Sequence, residues 1–181
     1  FSRAELNPRF SRNRWLPDPS LEHQMGSYRS AAQYEVRVPD GFELELNRTN
    51  TELEFTWKRI VPDKLAAVFM VQVSHDNPFD FVPLPSYMEG RQRGSSLANA
   101  NVHSTFSQLE QGNIGNFPAM RMFEESEAPT SFTSERVRWN GFVVALADGP
   151  TLIDISGITT GQDATSIREV LLNCAYTIRR A

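Results

Sequence analysis

The chain has 181 residues, 40% of them hydrophobic and 22% charged, with a formal net charge of −4. That length suits one domain able to bury roughly 70% of its unfolded surface without a staple. The acidic balance excludes general steering towards nucleic acid, and a lone cysteine, Cys174, excludes an intrachain disulfide or a multi-thiolate metal centre.

No apolar run approaches the ~18 residues of a membrane-spanning helix. The longest, LAAVFMV at 65–71, suits a buried strand. The cations are nearly all Arg, with Lys58 and Lys64 the only lysines. The chain begins at Phe1 rather than Met, as happens when a leader is removed or when a chain is cut from a longer one; the first case implies an exported protein.

Residues 1–30 show neither strand nor helix periodicity and are rich in Arg, Pro and Ser. They read as an extended arm or linker, with Phe10 and Trp15 able to dock on a partner, ahead of one domain over 31–181. From 33 the alternation sharpens. QYEVRVP puts Tyr34, Val36 and Val38 on one face, Pro39-Asp40-Gly41 turns, and FELELN puts Phe42, Leu44 and Leu46 inward, which predicts a hairpin. ELEFTWKRI alternates Leu53, Phe55 and Trp57, and LAAVFMVQVS, apolar on both faces, predicts a central strand.

A long connection follows, SHDNPFDFVPLPSYMEGRQRGSS at 74–96. Then Ala98, Val102, Phe106 and Leu109 recur at helical spacing, predicting a helix over 96–111 started by Ser95 or Ser96 and ended by Gly112. A strand with Met120, Met122 or their neighbours inward, a strand bulged at Gly141, a turn at Asp148-Gly149-Pro150 and another strand come next. SIREVLLNCAYTIRRA predicts a closing helix over 164–179, with Ser166 and Glu169 as a capping box and Arg179 and Arg180 at the negative end of its dipole. The sum is an α+β domain: an antiparallel sheet of about six strands flanked by helices, with Trp57, Phe69, Val71, Phe106, Val144, Leu171 and Cys174 in its core.

Motifs that carry chemistry are few. The chain lacks a Gly-x-Ser-x-Gly elbow, a phosphate-binding loop and a zinc helix, and GNIGN at 112–116 lacks the third glycine of a dinucleotide fingerprint. No cofactor is implied. His23, His75 and His103 are too scattered for one metal site. The catalytic alternative is a small hydrolase or metal-dependent enzyme using His75 with Asp76 or Asp80, since a carboxylate can fix a histidine tautomer for general base work. Asp76-Asn77-Pro78 is also ordinary turn chemistry. Cys174 shares a helical face with Ile167 and Leu171 and reads as core. The Asn-Arg-Thr triplet at 47–49 matters only in a secretory chain that is glycosylated.

The connection at 75–94 is the candidate binding surface. Pro78, Pro83 and Pro85 lower the entropy of the free segment, so a partner has less to order. Phe79, Phe81 and Tyr87 are of the type enriched at hot spots, with Arg91 and Arg93 as a polar rim opposite Asp76 and Asp80. Docking of a macromolecule is preferred to catalysis here. The alternative is that Phe79 and Phe81 plug the end of the sheet.

The order of elements resembles the PsbP/Mog-like superfamily over residues 33–180. An early Pro-x-Gly-aromatic turn (Pro39, Asp40, Gly41, Phe42), a Gly-x-x-x-Pro-Ala strand entry (Gly112 or Gly115 to Pro118 and Ala119) and a closing helix carry the likeness. The resemblance implies an antiparallel α/β/α sandwich and a non-catalytic accessory role. Known members include PsbP, which supports the oxygen-evolving photosystem in the thylakoid lumen, and a Mog-type protein that binds the GTPase Ran. Many bacterial relatives are exported or lipid-anchored. Two lysines depart from the Lys-rich surface expected of a PsbP orthologue, the arm lies outside the likeness, and no ligand residue carries over. The expected partner is therefore a protein of unspecified identity.

Overall fold

The computed structural model describes residues 13–49, 52–61, 64–75, 83–98, 103–129, 136–161 and 163–181. In chain order a 3-10 turn (Pro19–Gln24) leads into β1 (Tyr28–Ala31), β2 (Tyr34–Arg37), β3 (Glu43–Arg48), β4 (Glu52–Val61) and β5 (Lys64–Ser74). Then come α1 (Leu84–Ala98), β6 (His103–Phe106), β7 (Glu110–Ile114), β8 (Phe117–Pro129), β9 (Arg136–Asp148), β10 (Thr151–Thr160), α2 (Ala164–Ala175) and β11 (Arg179–Arg180). Among the described residues eight strands form one antiparallel sheet in the order β3-β4-β5-β10-β9-β8-β6, with β7 also paired to β8. A second sheet has the order β1-β2-β11.

Alternation assigns the two faces of the large sheet. Phe55 and Trp57, Phe69, Val71 and Val73, Phe142, Val144 and Leu146, and Ile153 and Ile155 all point inward. They meet Leu171, Cys174 and Ala175 of α2 in one cluster, closed at one end by Tyr34 and Val36 of β2. Each large apolar side chain buried this way contributes roughly 1.5–3 kcal/mol. On the outer face Met120, Met122, Val143 and Ala145 are covered by Leu84 and Met88 of α1. The result is helix, sheet, then helix with a small sheet: an α/β/α sandwich. Of the expected core, Phe106 alone sits elsewhere, half-buried against the outer cluster.

Several local expectations are corrected. The hairpin over 33–47 does not form: β2 pairs with β1 and β11, and β3 pairs with β4. The turn at Pro39–Gly41 carries the chain from one sheet to the other, and Phe42 is buried while Leu44 and Leu46 stay 51% and 40% exposed. The helix lies at Leu84–Ala98, inside the supposed loop, and not at 96–111. Pro85 falls in its first turn, where a missing N–H is no loss, and the Tyr87 N–H donates to the Pro83 carbonyl (3.0 Å). Residues 103–106 and 110–114 are strands on β8; Phe106 of β6 and Leu109, just before β7, share the outer cluster, so their spacing imitates a helix.

The closing helix begins at Ala164, buried, with Asp163 as N-cap and no side-chain cap bond, so Ser166 and Glu169 lie within it. It ends at Ala175, and Arg179 and Arg180 form β11 instead of complementing a dipole. Gly141 makes no bulge, since β9 keeps its register to β10 and β8 through it. A Cβ there would stand 2.8 Å from the Gly157 carbonyl oxygen, so glycine is needed for close approach. The register shift falls between Arg59 and Ile60 of β4.

Residues 13–25 pack on the domain, and β1 spans the boundary expected near residue 30. Trp15 is 9% exposed, with the Arg121 guanidinium 4.4 Å from its ring centroid and the Tyr176 ring 6.1 Å away. The Trp15 backbone N–H donates to the Asn113 carbonyl (2.9 Å), and the Asp18 backbone N–H donates to Asn173 Oδ1 (2.7 Å). Residues 1–12 lie outside the described residues. A Cβ on Gly112 would come within 2.5 Å of the Trp15 ring and 2.8 Å of the Asn13 carbonyl. Gly112→Ala is therefore expected to lift Trp15 off, costing about 2 kcal/mol and red-shifting tryptophan emission. An unshifted spectrum at unchanged stability would count against this docking.

Candidate functional site

The 75–94 stretch resolves into parts with different roles. His75 follows β5 directly, exposed, with Nδ1 3.3 Å from Thr151 Oγ1. Asp76, Phe79, Asp80 and Phe81 lie outside the described residues, and with them both carboxylates of the hydrolase alternative. Tyr87, Arg91 and Arg93 lie on α1. Tyr87 and Arg91 are one helical turn apart and so share the face turned to the sheet. Arg93 is exposed on the other side.

Both inward groups meet Asp154, which is 2% exposed in the middle of β10. Arg91 Nε donates to Oδ2 (2.8 Å), its Nη2 donates to Oδ1 (3.2 Å), and the Tyr87 hydroxyl donates to Oδ2. Burial, then the Asp154 charge and hydrogen bond, push the Tyr87 hydroxyl far above its ordinary pKa, so it serves only as a neutral donor. Burial works against the Arg91 charge, but Asp154 more than offsets it and the guanidinium is held more firmly protonated than usual. This triad fastens α1 to the sheet. Asp154 was not singled out from sequence, although one acid between Ile153 and Ile155 in an apolar strand was a signal for a buried partner.

Asp154 stands in register with Gln72, and Gln72 with Glu54. Gln72 Nε2 donates to Glu54 Oε2 (3.0 Å), and Thr56 Oγ1 donates to Glu54 Oε1 (3.3 Å). On the inner side a pocket of about 420 Å³ opens between the 3-10 turn, the Pro39–Phe42 turn and α2. Phe42, Ile167 and Val170 form its floor, and His23, Asp40 and Arg59 stand at its rim. Among the described residues no three His, Cys, Asp or Glu side chains converge as metal ligands. No described helix is long and apolar enough to cross a membrane.

Two further polar groups are structural. Cys174 is fully buried, and burial pushes its thiol up to about 12. Burial disfavours the thiolate at neutral pH and shields the sulfur, so a disulfide reagent should label native protein slowly and unfolded protein at the rate of a free thiol. Rapid labelling of native protein would contradict the core placement. Tyr34 donates its hydroxyl to Asp148 Oδ2 (2.7 Å), where Arg180 Nε also donates (3.1 Å). Burial, then Asp148, raise Tyr34 to about 12. Because Cys174 and Tyr34 are both raised, their stabilisation is complete below their unfolded pKa values and is lost as pH climbs from about 8.5 towards 12. Thermal melts should fall steeply over that window, and less so in Tyr34→Phe.

No family model matches the sequence, and no curated protein is similar to it. Among solved structures the chain is similar to cyanobacterial PsbP (CyanoP) from Synechocystis sp. PCC 6803. The TM-score is 0.65 at 9% identity, over 86% of this chain and 92% of that one. A protein of Bacteroides thetaiotaomicron VPI-5482 gives a TM-score of 0.47 at 12% identity, over 87% of this chain and 49% of that one. The likeness to CyanoP is one of fold, and the architecture is PsbP-like: a large antiparallel sheet with helices packed against it.

Proposed function

We propose that this is a non-catalytic binding domain that docks a protein partner through the surface at 75–94. The observation that supports it best is the use made of Tyr87 and Arg91: Asp154 takes both polar groups, which leaves them no part in acid–base chemistry and makes α1 a fixed platform. The outward side of that platform presents Glu89 and Arg93. His75, Asp76, Phe79, Asp80 and Phe81 precede it in the chain and complete the proposed surface, with Phe79 and Phe81 as aromatic anchors. The PsbP-like fold agrees with an accessory role.

The test separates docking from packing. With the domain immobilised and a lysate of the source organism passed over it, Phe81→Ala and Arg93→Ala should each cut capture of the specific partner at least tenfold with melting temperature nearly unchanged. Tyr87→Phe should lower the melting temperature by several degrees and leave capture intact. Lost stability with undiminished capture in Phe81→Ala would end the docking reading.

A further inference from the structure

Among the described residues the large sheet has a free edge at β3, which pairs with β4 alone and is exposed along its whole length. Such an edge offers unpaired backbone N–H and C=O groups to any extended chain. The two faces of β3 differ in chemistry. Leu44 and Leu46 lie on the inner side, in register with Trp57 and Phe55, and remain 51% and 40% exposed. Glu43 and Glu45 lie on the outer side with Glu52 and Glu54 of β4, against Lys58, which pairs with Glu45 (2.6 Å). The inner side leads at Phe42 into the pocket floored by Ile167 and Val170.

We propose that this edge accepts an extended segment of a partner protein as an added strand, and that the segment alternates apolar and basic side chains. The period-2 geometry sets the pattern: apolar residues cover Leu44 and Leu46, and Lys or Arg residues stand across from Glu43 and Glu45. The Phe42–Val170 pocket takes the apolar side chain at the end of the segment nearest the start of β3. The excess of carboxylates on the outer side selects a basic segment over an acidic one. A second copy of this chain fits less well, because centring an antiparallel self-pair on residue 45 sets Glu45 against Glu45 of the other copy. The site lies at the sheet edge remote from α1 and uses no residue of 75–94.

A short blocked peptide alternating lysine and valine is the probe, and its glutamate–valine counterpart the control. Backbone amide shifts and hydrogen exchange on titration should localise binding to residues 42–48, with the acidic peptide at least tenfold weaker. Leu46→Asn, a change at an exposed position, should weaken the basic peptide at least fivefold with the melting temperature unchanged. Glu43→Gln with Glu45→Gln should weaken it and flatten its salt dependence. Failure to bind at millimolar peptide, equal binding of both peptides, or shifts centred elsewhere would overturn the proposal. So would a dimer in sedimentation that Leu46→Asn dissolves, which would assign the edge to a second copy. Phe81→Ala should leave peptide binding untouched, so this proposal and the docking role of 75–94 stand or fall separately.

Discussion

Arg91→Met should lower the unfolding free energy by about 3 kcal/mol, measured by urea denaturation. The substitution keeps an unbranched aliphatic stem on α1 and removes the guanidinium. Asp154, whose side chain is 3% exposed, is left with Tyr87 as its one hydrogen-bond donor of the triad. Losing one partner of a buried pair typically costs 3–5 kcal/mol, and the lower end applies because the Arg91 side chain is itself 33% exposed. Tyr87→Phe removes a hydrogen bond to the same carboxylate and should cost about 1.5 kcal/mol. The double variant Arg91→Met with Asp154→Leu removes both charges and should recover most of the loss. A single variant within about 0.5 kcal/mol of the parent, or a double variant less stable than the single, would show that the triad does not hold α1 in place.

Gly26→Ala should be at least as damaging, above about 3 kcal/mol. Gly26 has φ +67, and a Cβ there would stand 2.1 Å from the Val38 carbonyl oxygen and 3.1 Å from the Asp40 N–H nitrogen. Both neighbours are backbone, and the Gly26 carbonyl itself accepts from Arg37 Nε (2.7 Å), so neither side can move without breaking the seam beside β2. Gly149 is the control: its φ of +58 imposes the same left-handed strain, but nothing lies within 4 Å of its Cβ. Gly149→Ala should therefore cost only about 1 kcal/mol. Equal losses at the two positions would mean that the Val38 contact adds nothing beyond backbone conformation. Labelling of Cys174 offers a second readout, since its Sγ lies 3.8 Å from the Met25 carbonyl beside Gly26.

These two sites show how far the sequence could be read. Alternation in β4, β5 and β10 is legible because each strand has one face in the core, and burial of Phe55, Trp57, Val71 and Ile155 follows from it. The same rule places Tyr34 and Val36 inside but says nothing of their partners, which is why β2 and β3 were read as a hairpin when they belong to different sheets. Pairing is a tertiary choice, made here by β11, more than a hundred residues later. Helix α1 was hidden because its apolar stripe is short, Leu84 and Met88 with Tyr87, and Gly90 and Gly94 interrupt it. Its identity depends on Asp154, five elements further along the chain, and no local pattern contains that contact. Trp15 was read as a possible anchor for a partner for the same reason: the groups that receive it, Gly112, Arg121 and Tyr176, are scattered across the later sequence.

The seam between the early and late chain sets an order of events during synthesis. Residues 15–34 leave the ribosome long before the groups that cover them: Asn173 for Asp18, Cys174 beside Met25, Tyr176 for Trp15, and Arg179 and Arg180 for β2. Until those arrive, Trp15, Met25 and Tyr34 have no inner layer to enter. The nascent chain must carry them exposed while β3, β4 and β5 are already able to pair. Contacts so distant in sequence form slowly and leave apolar surface open to aggregation. A chain halted before Asn173 should keep its β4–β5 hairpin yet depend on chaperone capture of residues 15–34, and residues 173–181 should act as the latch that ends that dependence.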